Sequence, residues 1–80
     1  MTIDYDIVVR EAIARFFLKD VAEITQATEM AKDLGADSVI LMQIMSAIED
    51  DLDITLNFME FKRSKTVGDL VACVQNPHES

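Results

Sequence analysis

Leu34-Gly35-Ala36-Asp37-Ser38-Val39 carries a glycine-containing stretch into a serine that stands where an apolar helical repeat begins. A serine so placed exposes its hydroxyl. The partial positive charge of a helix N-terminus also favours a phosphate attached beside it. The same residues also describe a plain capping serine, because a short side-chain oxygen accepts readily from a free first-turn N–H. Other groupings fail on chemistry. The single histidine, His78, lies in the C-terminal tail, so a Ser-His-Asp triad is not expected. Asp51-x-Asp53-x-Thr55 begins like a calcium loop, but Leu56 replaces its glycine and Lys62 its closing glutamate. One cysteine, Cys73, excludes an internal disulfide and a cysteine metal cage, and it reads as a small core or boundary residue. No catalytic or metal-ligating residue is therefore assigned.

Helices must position Ser38. Two glycines and one proline in 80 residues, with no alternating strand pattern, make the chain all-α. A first helix is expected from about Asp4 to Phe17 or Leu18, with Tyr5, Val9, Ala12, Ile13 and Phe16 on its apolar face. Lys19 to Asp37 reads as a long connection with Ile24, Met30 and Leu34 turned inward; so long a loop in a small domain is commonly functional. A second helix, Ser38 to about Asp51, has Leu41, Ile44, Met45, Ile48 and Leu52 on one face, capped by Asp37 or Ser38. A short helix or turn spans Asn57 to Lys62. The last helix opens at Thr66, where Thr66-Val67-Gly68-Asp69 fits a capping box, and buries Leu70, Val71, Val74 and Val67. Gln75 to Ser80 is a polar tail. Met30, Met42, Met45 and Met59 read as adaptable packing or as the lining of a sheltering cleft.

Eighty residues make one domain with one small core, spanning about 3–75 within 1–80. A net charge of −8 repels nucleic acid and anionic membrane surfaces and attracts basic protein surfaces. Between Glu29 and Glu60 stand eight acids and one base, Lys32, while further bases gather at Lys62, Arg63 and Lys65. The acidic N-terminus lacks a secretion signal and no run is apolar enough to span a bilayer, so a cytoplasmic monomer is expected. Met1 and the short tail read as a freestanding chain.

The stretch from Leu34 to Val39 resembles the modification motif of the acyl carrier family, Leu-Gly-x-Asp-Ser followed by Leu, Met or Val. The likeness extends from about Thr2 to Gln75. A long loop separates an apolar helix from the motif. The helix after it ends in Ile48-Glu49-Asp50-Asp51-Leu52-Asp53-Ile54, and the last helix opens with Thr66-Val67. The resemblance implies a four-helix bundle of three main helices and a short third. It also implies a carrier that is not itself an enzyme, with 4'-phosphopantetheine attached to Ser38 by a phosphopantetheinyl transferase. The arm's thiol would hold acyl groups as thioesters and deliver them to loading, condensing or modifying enzymes. Asp37 matches the family's aspartate and is implied to help present Ser38; it also reads as a simple cap.

Two departures bear on the pathway. Fatty-acid carriers usually show acids soon after the serine. Here Val39, Ile40, Met42 and Gln43 surround it, and acids appear only at Glu49, Asp50 and Asp51. Those six residues, Val39, Ile40, Met42, Gln43, Glu49 and Asp50, are the expected partner-docking set. The third helix carries Phe58, Met59, Phe61, Lys62 and Arg63 where fatty-acid carriers are commonly acidic, although the apolar members also read as core. Both favour a specialised pathway, polyketide, mixed polyketide–peptide or modified fatty acid, over housekeeping fatty-acid synthesis. A helical interaction domain without a prosthetic group is the alternative outside the carrier class.

Overall fold

The computed structural model describes residues 3–76. These form four α-helices, α1 (Tyr5–Phe17), α2 (Ser38–Leu52), α3 (Phe58–Arg63) and α4 (Val67–Gln75), with a single 3-10 turn at Val21–Glu23. The all-α expectation holds. The tail residues from 77 on, His78 included, lie outside the described residues, and Gln75, expected in the tail, closes α4.

Each helix begins on a side-chain cap that takes an otherwise unpaired first-turn N–H. Asp4 accepts from the Ile7 N–H at 3.2 Å, and Asp37 from the Ile40 N–H at 3.0 Å. Asn57 accepts from the Met59 and Glu60 N–H groups at 2.9 and 3.2 Å. Thr66 and Asp69 form the expected reciprocal box. α1 and α2 end on left-handed residues, Leu18 at φ 56° and Asp53 at φ 53°. Aspartate tolerates that conformation; leucine does so at a cost, because its Cβ crowds the carbonyl.

α1 packs against α2 and α4, and α3 bridges α2 and α4. Val9, Ile13, Ile44, Ile48, Phe61, Val67, Leu70 and Val74 are buried at the centre. α3 is too short to be stable alone. Phe61, 0% exposed, anchors it, and burial of such a ring contributes about 1.5–3 kcal/mol. Phe58 packs against the core from the side, while Met59 faces solvent. Cys73 is a boundary residue, and burial pushes its thiol above the ordinary value, with Glu60 adding to the effect.

Two assignments of helix faces need correction. Phe16, expected in the core, is 40% exposed. It lines an open groove with Ala12, Arg15, Ala47, Asp50 and Asp51, at the rim of the α1–α2 contact, with its ring edge-on to Phe17. Near the end of α1 the buried side has moved to Ala14 and Phe17, following what covers the helix rather than its period. Ile40, expected off the core stripe, is half-buried against the core. It stands one turn before Ile44, on the shoulder of the buried face.

Candidate functional site

The loop before Ser38 is held by backbone bonds to the start of α4. Two first-turn N–H groups of α4 point at this loop: Val67 donates to the Thr28 carbonyl and Gly68 to the Gln26 carbonyl, each at 2.9 Å. Met30 N–H donates to the Lys65 carbonyl at 2.9 Å, beside an isolated antiparallel bridge between Glu29 and Thr66. Gly68 permits this close approach, since a Cβ there would stand 3.1 Å from the Gln26 carbonyl oxygen. Ile24 and Met30, each 1% exposed, pin the loop from inside, as expected, with Leu34 half-buried beside them. The segment is thus docked along much of its length, which long polar loops generally are not.

The chain then turns into α2. Gly35 N–H donates to the Ala31 carbonyl at 3.0 Å and Ala36 N–H to the Met30 carbonyl at 2.9 Å. Gly35 adopts φ +65° with open space where a Cβ would be, so glycine serves conformation here rather than clearance. Ala36 is buried and Asp37 is extended at φ −94°, ψ −174°. Of the two candidate caps, Asp37 does the capping. This leaves the exposed Ser38 as the first helical residue, with its hydroxyl free of that duty.

A groove of about 430 Å³ opens beside Ser38. Met30, Ala36 and Leu41 give it an apolar floor, and Lys32, Lys62 and Lys65 line its sides. Lys65 reaches Glu29 at 3.5 Å. The bases at 62 and 65 were evident in the sequence, but their place next to Ser38 was not; it follows from the backbone bonds that lay the loop against Lys65 to Gly68.

The residues expected to dock partners divide. Val39 and Met42 are 62% and 50% exposed, and Gln43 and Asp50 are exposed too. Ile40 is half-buried, as noted. Glu49 is half-buried and its carboxylate accepts the Leu56 N–H at 2.9 Å, so it secures the turn from α2 to α3. Its acidity serves the fold before any partner.

A phosphodiester suits this place. The Ser38 hydroxyl is exposed, and the helix start favours negative charge with first-turn N–H groups that the Asp37 cap leaves over. The adjoining groove leaves room for a flexible arm. Comparison with known proteins agrees. The family described as "Phosphopantetheine attachment site" matches residues 8–74. An acyl carrier protein of Exiguobacterium sp. strain AT1b is 42% identical over 67 residues, covering 84% of this chain and 85% of the relative. The acyl carrier protein of Streptococcus pneumoniae serotype 4 is 43% identical over 67 residues, covering 84% and 86%. That of Helicobacter pylori strain J99 is 29% identical over 68 residues, covering 85% and 87%. A docked loop that ends in an exposed helix-start serine, within a domain matched along most of its length, places the chain in the acyl carrier protein family: phosphopantetheine-bearing carriers, not enzymes.

Proposed function

We propose that Ser38 is the attachment residue, and that the chain carries acyl intermediates between the enzymes of a specialised pathway, polyketide, mixed polyketide–peptide or modified fatty acid. In the attachment step a phosphopantetheinyl transferase joins the Ser38 oxygen to the pantetheine-side phosphorus of coenzyme A as the pyrophosphate link breaks; adenosine 3',5'-bisphosphate is the leaving group, and the hydroxyl proton passes to a base of the transferase or to water. Asp37 fixes the first turn of α2, so Ser38 is presented on a rigid element rather than a mobile loop. The attached group supplies a thiol that forms thioesters, which are good acyl donors. Tethering raises the effective concentration of cargo at each partner.

One observation carries the pathway reading: the face of α2 beside Ser38 is apolar and bare. Val39 and Met42 are exposed there, and the helix has no acid in its first turn. A partner that meets this surface gains from apolar contact. Asp50, further along, adds electrostatic guidance, which acts mainly on association rate and fades with salt. The proposed carrier is one cytoplasmic domain with its core at about 3–75.

Intact mass after incubation with coenzyme A and a broad-specificity transferase tests the attachment. The parent gains one phosphopantetheinyl group and Ser38→Ala gains none; gain by Ser38→Ala, on Ser46 or Ser64 for instance, refutes the assignment. The pathway reading is tested by turnover with two sets of partner enzymes. Processing by condensing enzymes of fatty-acid synthesis as fast as that of their own carrier would refute a specialised role.

A further inference from the structure

The chain bears a net charge of −8, yet three of its seven bases line a groove that reaches Ser38. Two acids, Glu29 and Asp37, line it as well, and each is engaged within the fold. Asp37 caps α2, Asp33 accepts the Glu29 N–H at 2.8 Å, and Glu29 pairs with Lys65. Lys32 and Lys62 have no carboxylate within ion-pairing distance among the described residues. An apolar floor of Met30, Ala36 and Leu41, with three bases against two acids around it, fits a ligand with a hydrocarbon body and an anionic end that meets Lys32 and Lys62.

We propose that this groove holds acyl cargo ending in a carboxylate, with the acyl methylenes on the apolar floor and the carboxylate beside Lys32 and Lys62. The inference rests on the reading of Ser38 as the attachment residue. Cargo on an arm fixed at the groove's edge is present at an effective concentration near millimolar, so even weak pairing shifts the population of the seated state several-fold. A neutral acyl group of the same length has only the floor. An acidic patch on a partner protein could also meet these lysines. A concave site beside a covalent tether favours the cargo, which needs no second molecule to reach it.

The test uses the whole chain, isotopically labelled and loaded at Ser38 from succinyl- or butyryl-coenzyme A by a broad-specificity transferase. The two cargoes match in length and differ in charge. The arm's own phosphate is common to both and drops out of the comparison. Amide spectra of the succinyl form should show shifts at Lys32, Lys62, Ser64 and Lys65 that the butyryl form lacks. At least half of the difference should vanish in the double variant K32Q/K62Q, and added salt should diminish it. Coincident spectra for the two forms overturn the proposal, as do shifts that persist undiminished in K32Q/K62Q. If the spectra coincide but K32Q/K62Q binds a synthase partner less tightly, the lysines belong to a protein interface and the proposal is likewise overturned. The loading step separates the two readings. A chain that takes up no arm refutes the attachment at Ser38 and this proposal with it. A loaded chain with coincident spectra refutes the groove alone.

Discussion

The two ends of α2 are built from different chemistry and used differently. At the N-terminal end one acid, Asp37, closes the first turn, and Val39 and Met42 beyond Ser38 are exposed and apolar. At the C-terminal end acids accumulate, with no base in the last turn. Negative charge there opposes the helix dipole, so those acids are unfavourable unless something nearby takes them up. Two are taken up: Glu49 by the Leu56 N–H, and Asp51 by Arg15 at 2.9 Å. Asp50 alone of the three stays exposed and without such a partner among the described residues. An acidic run in a sequence is therefore a poor measure of docking charge. The contrast is between a polar end that stabilises the fold and an apolar end left exposed, the surface we propose partners recognise.

The strongest test strikes the part common to both ends. Ile48 is fully buried, and Ile48→Ala should cost about 2–5 kcal/mol in chemical denaturation. A loss near zero would show that the helix is not held by this face. Glu49→Ala leaves the Leu56 N–H without its acceptor and should cost about 1–2 kcal/mol. Asp50→Asn should stay within about 0.5 kcal/mol while slowing association with a partner and flattening its salt dependence. If Asp50→Asn proved the more destabilising of the two, the division between structural and recognition acids would fail.

At the other end, Val39→Asp puts a carboxylate in the first turn, where the dipole favours it, so stability should hold or rise slightly. Partner affinity should nevertheless fall by roughly tenfold, because the new charge must be desolvated on docking. This variant replaces the obvious Ile40→Asp, which would also damage the core shoulder. Undiminished binding of Val39→Asp would mean that the apolar end is not a docking surface.

Smaller effects sharpen the picture at the caps. Leu18 is left-handed and 93% exposed, so Leu18→Gly relieves strain with little packing lost and should raise stability by about 0.5–1 kcal/mol. Asp53, in the same conformation at the end of α2, should gain less, since aspartate accommodates it better. The Asp69 carboxyl is held below its ordinary value by the Thr66 and Lys65 backbone N–H groups it accepts from. A lowered carboxylate contributes fully above about pH 4 and loses that contribution as pH falls through its folded value. Asp69→Asn should therefore flatten the fall in stability below about pH 4, a slight change measurable by denaturation at several pH values.

Much of this was legible in the sequence because it is local. Asp37 next to Ser38, the Thr66–Asp69 box and the repeat at Leu41, Ile44 and Ile48 depend on residues a few positions apart, and caps and helix faces are set at that range. Covering elements decided the rest. Phe16 kept the right period and still lies at a rim, and Ile40 missed the counted stripe and still packs inward. Glu49 reads as one more surface acid until the chain doubles back to bring the Leu56 N–H against it. The lysine groove is the clearest case. Lys32 and Lys62 are thirty positions apart and flank Ser38 because α4 lends its first N–H groups to the carbonyls of a distant loop. The sequence by itself determined the helices, their caps and the serine that begins α2. Tertiary structure decided which acids remain free and which bases face that serine, because burial and pairing depend on what comes to lie opposite, and no local pattern encodes that.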